Sequence, residues 1–175
     1  TNLLMSSSSS TVANIHAGTI VPNNIGLTSI TVIATIGSAS YSQSFRLFTI
    51  IPNDTYYICN KGLLEYVQID QNSSSPYSGG EKIEVTGLDE ADDQKWILTH
   101  IGSGYYSIIS KASQLALTVQ ADYLNTANKA IVQTAYTGLD SQKWKIDLSS
   151  SGAYIIRPKS GESYATDWCM SAGSS

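Results

Sequence analysis

The phrase Asp-Xaa-Gln-Lys-Trp occurs twice, as "DDQKW" at 92–96 and as "DSQKW" at 140–144, with a spacing of 48 residues. The chain has only three tryptophans among its 175 residues, so chance is a poor explanation of the match. A period of this length is typical of a repeated structural unit rather than of one helix or strand. The sequence therefore predicts a fold built from copies of one unit, each closed by the same tryptophan.

The remainder of each unit also repeats. Each copy opens with a turn, a tyrosine, an alternating apolar pair and a lysine. The matching segments are 54–61, 103–111 and 151–159, then 64–70, 114–120 and 165–171, then 80–87 and 128–136, then 92–99 and 140–147. One unit thus holds four short strands. Its Trp fills the space between units, and the Gln two residues earlier lies on the same side of an extended chain, where its amide can bond turn backbone.

The composition indicates an almost entirely β protein. Ser, Thr, Ile, Val, Tyr and 13 Gly are strand and turn residues, and only 14% of the chain is charged. Eleven Tyr stand against two Phe, a ratio that suits half-exposed sheets in which the ring packs and the hydroxyl stays wet. Hydrophobic residues make up 42%, enough for a core in one medium domain or two small ones.

Charge and hydropathy exclude several classes of partner. The net charge is −4 and no basic cluster is present, so nucleic-acid binding is not expected. The sequence shows no basic amphipathic helix, and apolar runs such as 30–36 are too short to span a bilayer, so no membrane insertion is expected. No signal peptide is visible and the first residue is Thr1, so we expect this chain to be a piece of a longer protein.

Residues 1–50 read as three or four antiparallel strands, fewer than the roughly seven of a closed sandwich. Alternation places Ile30, Val32 and Ala34 on one strand face. The stretch "TVANIHAGTIVPNNIGLTSITVIATIG" resembles the second half of a bacterial immunoglobulin-like repeat of the intimin/invasin type. The resemblance implies a partial β-sandwich segment over 1–52, of a kind that serves as a rigid spacer in secreted and surface-attached bacterial proteins.

The units with Gln-x-Trp phrases, residues 53–175, resemble the ricin B-chain-type β-trefoil lectin modules. The resemblance implies a β-trefoil, with a third unit that lacks its own Gln-x-Trp and is therefore expected to be incomplete. In this family a unit can form a shallow sugar site. That site is formed by an Asp on the second strand, a Gln or Asn and an aromatic residue on the third strand, and a polar residue just before the Gln-x-Trp.

The match to that sugar site is partial in every unit. The second-strand position holds Gln68 in unit one and Met170 in unit three. In unit one Glu84 is placed at the third-strand position without an aromatic, and Asp93 precedes the phrase. None of these sets is complete.

Unit two offers the best candidate site for carbohydrate. Its residues are Thr118, Gln133, Tyr136, Ser141 and Gln142. An aromatic face takes the C–H surface of a sugar, and fixed polar groups take its hydroxyls. The alternative is structural, with Tyr136 an exposed turn residue and Gln133 an amide on the sheet surface.

No cofactor, metal or catalytic site is predicted. An acidic group at 89–93 lacks the spacing of a calcium loop and is read as a solvated turn. The two histidines, His16 and His100, stand in no recognisable catalytic motif, so an enzyme is not expected. Cys59 and Cys169 either form one disulfide or are two buried residues that pack as small apolar side chains.

The sequence thus predicts a non-catalytic carbohydrate-binding module of a larger secreted or cell-surface bacterial protein. Its partners would be glycans, with self-association or contact with other domains of the parent protein. The alternative is a degenerate trefoil that acts as a spacer or protein-interaction module without sugar binding.

Overall fold

The structure is a computed structural model that describes residues 2–72, 74–120 and 130–161. The chain forms two compact units, Thr1–Ile51 and Pro52–Ser175. Their regular elements are β-strands and 3-10 turns of three residues, as far as the described residues go. The prediction of an all-β chain is confirmed. No helix in those ranges has the length and apolar character needed to cross a membrane.

The first compact unit, Thr1–Ile51, contains one three-stranded sheet and one hairpin. Its strands are β1 (Asn2–Ser7), β2 (Ala13–His16), β3 (Thr19–Pro22), β4 (Gly26–Ile36) and β5 (Ala39–Thr49). Strand β4 lies between β1 and β5, and β2 pairs with β3, all antiparallel. The resemblance of this unit to an immunoglobulin-like half-module stays a prediction.

The two faces of the three-stranded sheet differ in polarity. The register sets Ile30 opposite Phe45 and Ala34 opposite Tyr41, so these four residues share a face, whereas Ile33 lies on the other face opposite Ser42. The opposite face carries hydroxyl pairs such as Thr31 and Ser44, which are 2.8 Å apart. The alternation predicted for β4 is therefore correct.

The second unit is a chain of short strands. They are β6 (Asp54–Tyr57), β7 (Cys59–Asn60), β8 (Glu65–Ile69), β9 (Ile83–Thr86), β10 (Lys95–Gly102), β11 (Tyr105–Ser110), β12 (Ala116–Val119), β13 (Ile131–Thr134), β14 (Trp144–Leu148) and β15 (Tyr154–Pro158). The 3-10 turns are Asp92–Gln94, Asp140–Gln142 and Lys159–Gly161.

Strand pairing follows the repeat. Strand β10 pairs with β6 and β11, and β14 pairs with β11 and β15. Trp96 of β10 lies opposite Tyr56, and Trp144 of β14 lies opposite Tyr106, the tyrosine at the same place in the next repeat. The hairpins β8–β9 and β12–β13 occupy matching places beside these strands. The second compact unit thus contains two copies of the predicted repeat, called repeat one (with Trp96) and repeat two (with Trp144).

The repeated tryptophans form the centre of the core. Trp96 and Trp144 are both completely buried, as the repeat requires. Other core residues are Ile69, Ile108 and Leu117, each wholly inaccessible to solvent. The expectations for Cys169 and Met170 concern residues outside the described part of the chain.

Candidate functional site

The Gln of each Gln-x-Trp phrase ties a 3-10 turn to its hairpin. In repeat two, Nε2 of Gln142 donates to the main-chain oxygen of Ala135 at 2.7 Å and to Oγ1 of Thr134 at 2.9 Å. Its Oε1 accepts from the main-chain N–H of Thr137 at 2.8 Å. Gln142 is 1% exposed. Both halves of this amide are therefore used inside the fold.

Repeat one builds the same network around Gln94. Its Nε2 donates to the main-chain oxygen of Gly87 at 2.7 Å and to Oε1 of Gln68 at 3.1 Å, and its Oε1 accepts from the N–H of Asp89 at 3.0 Å. Gln68 in turn donates to Oε1 of Glu84 at 2.8 Å. The function of these glutamines in holding turn backbone is the one predicted from the sequence.

Gln133 lies on the inner face of its hairpin. The register pairs it with the buried Leu117, and it is completely buried itself. Its Oε1 accepts from Oγ of Ser113 at 2.6 Å, and its Nε2 donates to the main-chain oxygen of Pro76 at 2.5 Å. Its side chain therefore connects the hairpin of repeat two to the long loop of repeat one.

Thr118 lies on the opposite face of the same hairpin, because successive residues of a strand alternate. It is 7% exposed, and its hydroxyl is 2.8 Å from Oγ1 of Thr134 and 3.3 Å from Nε2 of Gln142. The structure thus brings Thr118 and Gln142 together and separates them from Gln133.

Tyr136 and Ser141 are the predicted residues that reach solvent. Tyr136 is 43% exposed, and Ser141 is half-buried in the middle of the turn Asp140–Gln142. The predicted set therefore divides in two. Thr118, Gln133 and Gln142 are buried and hold the strands, whereas Tyr136 and Ser141 are accessible to a ligand. That these five residues bind a glycan stays a prediction.

The register corrects one placement in repeat one. Val67 pairs with Val85 just as Leu117 pairs with Gln133, so Val85 occupies the position of Gln133. Glu84 instead pairs with Gln68 on the other face of the hairpin. The alternation of β9 carried this signal, since Ile83 and Val85 are its apolar members.

Asp93 differs from the solvated residue expected in an acidic turn. It is 6% exposed, and its buried Oδ1 accepts no hydrogen bond from any residue in the described ranges. Burial raises the pKa of the Asp93 carboxyl, and the nearby negative charge of Asp89 raises it further. Its neighbours at 89, 90 and 92 are exposed, as predicted. Asp93 is the functional candidate in repeat one that sequence reasoning undervalued.

Exposed ion pairs connect successive repeats. Oδ1 of Asp92 accepts from Nζ of Lys95 at 2.9 Å and from Nζ of Lys111, in the next repeat, at 3.1 Å. Asp140 has the same arrangement, with Lys143 at 2.9 Å and Lys159 at 3.1 Å. Hydrogen bonds from these lysines lower the pKa of both carboxyl groups.

Metal and thiol chemistry find little support in the described residues. Within the ranges that the structure covers, no group of three or more His, Cys, Asp or Glu residues could hold a metal ion. Cys59 is exposed and forms no disulfide with another described residue, whereas Cys169 lies outside the described ranges.

A family model described as "Ricin-type beta-trefoil lectin domain-like" matches residues 41–133 and 92–174, so its two matches cover both Gln-x-Trp repeats. No curated protein matches the sequence.

Solved structures with the same fold include designed and natural proteins. The designed three-fold symmetric protein ThreeFoil is 22% identical with a TM-score of 0.55, covering 66% of this chain and 84% of that one. An exo-beta-1,3-galactanase from Clostridium thermocellum is 18% identical with a TM-score of 0.56, covering 76% of this chain and 31% of that one. These identities show the fold alone, which is a β-trefoil.

A lectin from Polyporus squamosus, solved with a human-type influenza-binding epitope, is 16% identical with a TM-score of 0.52. The alignment covers 73% of this chain and 46% of that one. The chain therefore spans less than half the length of the lectin and about a third of the galactanase.

Proposed function

The chain belongs to the ricin-type β-trefoil lectin domain-like family, and on that basis we propose that it is a non-catalytic carbohydrate-binding module. We further propose that it serves a larger bacterial protein that is secreted or exposed at the cell surface, where glycans are met. The observation that carries the proposal is the match of the lectin family model to both repeats.

In repeat two, the proposed sugar contacts come from the accessible members of the predicted set. The half-exposed ring of Tyr136 offers an apolar face to the C–H surface of a sugar, and the hydroxyl of Ser141 offers a donor and an acceptor. Thr118, Gln133 and Gln142 hold the two strands and the turn that present them. Their role in binding is therefore indirect.

Binding at one such surface, formed by Tyr136 and Ser141, would be weak. An open surface with one aromatic ring buries little of a ligand compared with the deep clefts that enclose small molecules. Retention on a polysaccharide would then depend on several such binding sites acting together, in one chain or in the parent protein.

The alternative is a module that serves only as a spacer or protein contact. It is favoured by one observation: Thr118, Gln133 and Gln142 use their side-chain polar atoms in hydrogen bonds inside the fold, with at most 7% of each residue exposed. A trefoil kept for its fold would retain these bonds and lose its ligands.

A glycan array probed with the chain and with Tyr136→Ala tests the proposal. The chain should bind one or a few neutral glycans, and the variant should lose them while unfolding at the same temperature. Tyr154→Ala is the matched control, because Tyr154 is also exposed, at 54%, but lies on β15 outside the candidate site. An array on which no glycan is retained would favour the spacer.

A further inference from the structure

Strand β5 forms an open edge of the sheet in the first compact unit. It is eleven residues long, Ala39–Thr49, and β4 pairs with one side of it. Among the described residues, no strand pairs with its other side. Every residue from 40 to 46 is exposed. An edge of this length presents a row of main-chain N–H and C=O groups that can pair with a further strand.

The sequence of β5 lacks the features that normally prevent such pairing. It contains no proline, no lysine and no acidic residue, and Arg46 is its one charged residue. Its register against β4 runs without a bulge from the pair Gly26 and Thr49 to the pair Ile36 and Ala39. Natural edge strands are commonly short, bulged or interrupted by lysine or proline. The edge of β5 is therefore open to another strand.

Other edges among the described strands are protected. A loop of repeat one covers the outer edge of β13, where Gln133 exchanges main-chain hydrogen bonds with Gly80 and Glu81 at 2.7 and 2.9 Å. Strands β3 and β15 are four and five residues long, and each ends in a proline, Pro22 and Pro158. The open edge of β5 is thus a local feature rather than a general property of this chain.

The hairpin turn determines which main-chain groups of β5 face outward. Gly37, with φ of +62°, and Ser38 form a two-residue turn that the pair Ile36 and Ala39 closes. The pair that closes such a turn is hydrogen-bonded, and along the strands such pairs alternate with pairs that are not. The even-numbered residues from 40 to 46 therefore direct their N–H and C=O groups away from β4.

Two contacts of Ser44 agree with this direction. Its hydroxyl is 2.8 Å from that of Thr31, as expected of a pair without main-chain bonds, in which side chains are closer. Its carbonyl accepts from Nε2 of the adjacent Gln43 at 3.5 Å, which is long for such a bond. A strand added at this edge would bring a main-chain donor to that carbonyl.

We propose that the outer edge of β5 pairs antiparallel with β5 of a second copy of this chain, about a two-fold axis at Gln43. Gln43 of one copy then lies opposite Gln43 of the other, Tyr41 opposite Phe45, and Ser42 opposite Ser44. The two three-stranded sheets become one sheet of six strands. A contact of this kind uses the same surface on both copies and closes after two of them.

The second copy is the partner that the sequence of β5 specifies, because the strand is complementary to itself in this register. Tyr41 and Phe45 are 64% and 44% exposed, and each would meet the other where opposite side chains approach most closely. Arg46 would lie opposite Ser40. A register centred on Arg46 would instead set two positive charges against each other, which is destabilising.

Sedimentation equilibrium over a range of concentrations tests the pairing. The chain should reach twice its single-chain mass, and Ser44→Pro should remain single, because proline has no N–H for the second copy. The N–H of Ser44 faces away from β4, so this variant should stay folded, which circular dichroism checks. Ser44→Ala is the matched control, since it also loses the hydroxyl contact with Thr31 but keeps the N–H, and it should still double its mass.

Cysteine cross-linking tests the register independently of the proline variant. In a background carrying Cys59→Ser and Cys169→Ser, Gln43→Cys should form an intermolecular disulfide on mild oxidation. The two Cα atoms at the axis would be about 4.5 Å apart, within the range of a disulfide. Ser40→Cys is the matched control, because its two copies would lie six residues apart along the strands, about 20 Å, and should not cross-link.

The outcomes are independent of the proposed sugar binding. A chain that stays single at its highest soluble concentration, or a Ser44→Pro variant that still doubles its mass, would overturn the pairing of β5. Equal cross-linking at positions 40 and 43 would overturn it as well. The carbohydrate-binding proposal would be unaffected by any of these results, since it is tested by glycan retention and by Tyr136→Ala.

Discussion

The indole nitrogen of Trp144 donates a hydrogen bond of 2.9 Å to the main-chain oxygen of Leu117. Trp96 makes the same bond, at 2.8 Å, to the oxygen of Val67. Each tryptophan thus fills the core and also fixes the second strand of its repeat. This double role explains why the phrase repeats Trp itself rather than any large apolar residue.

Replacing Trp144 with Phe should lower the free energy of unfolding by about 1–3 kcal/mol. The ring would still fill much of the site, but the buried carbonyl of Leu117 would lose its donor, which costs about that much. Urea denaturation followed by circular dichroism measures the change.

Tyr154→Phe is the control for that experiment, since its hydroxyl lies on a residue that is 54% exposed. It should change stability by less than about 0.5 kcal/mol. If Trp144→Phe were equally harmless, the hydrogen bond to Leu117 would not be a stabilising feature of the repeat.

Gln133 and Tyr136 should have opposite effects when changed. Gln133→Leu leaves the hydroxyl of Ser113 and the carbonyl of Pro76 without their partner, so it should cost roughly 1–3 kcal/mol of stability. Tyr136→Ala should leave stability nearly unchanged and abolish glycan retention. Thermal melting and glycan-array binding of both variants measure the two effects.

A folded Gln133→Leu variant should keep its glycan binding, because the amide is wholly buried. Loss of binding without loss of stability in this variant would mean that Gln133 contacts sugar directly, contrary to its place on the inner face.

The fold was predictable from the sequence because its signals are periodic. Two Gln-x-Trp phrases at equal spacing specify two equivalent turns, and alternation in β4 correctly gives the apolar face of the first sheet. Strand β1 escaped prediction because it ends in two serines, a residue type common in turns. Pairing compensates for this composition: β1 joins the sheet along β4, and Ser7 bonds Thr28 of that strand at 3.1 Å.

The candidate site was less predictable because its bonds join distant residues. Gln133 is polar, which suggested a surface position, but alternation with Ile131 already placed it on the apolar side of β13. The side-chain amide of Gln133 donates to the carbonyl of Pro76, in a loop of the preceding repeat, and no local sequence pattern predicts that contact. Asp93 was misread for the same reason, since only packing shows that it is buried.

Asp140→Asn should lose only a little stability at neutral pH, because the two lysine partners are at the surface and solvent screens these ion pairs. The pKa of Asp140 is lower in the folded chain than its ordinary value of 3.8. Its stabilising contribution is therefore present above 3.8 and is lost as pH falls through the folded value. Urea denaturation of both proteins between pH 6 and pH 2 should show the difference shrinking.

High salt at neutral pH should shrink the same difference, since exposed charges are screened. A constant difference between Asp140→Asn and the parent chain at every pH would mean that the substitution acts through something other than the charge of Asp140.

Asp93→Asn should make the chain more stable at neutral pH. The pKa of Asp93 is raised in the fold, by burial first and by Asp89 second, so ionisation opposes folding. The sign is the reverse of that at Asp140: the cost is absent below 3.8 and grows as pH rises through the raised value. An uncharged amide avoids this cost, and it is less expensive than a carboxylate to bury without a partner. Urea denaturation should therefore show equal stability of the variant and the parent chain near pH 3 and a more stable variant at pH 7. A variant that is less stable at pH 7 would mean that the Asp93 carboxylate is held by favourable contacts in the folded chain.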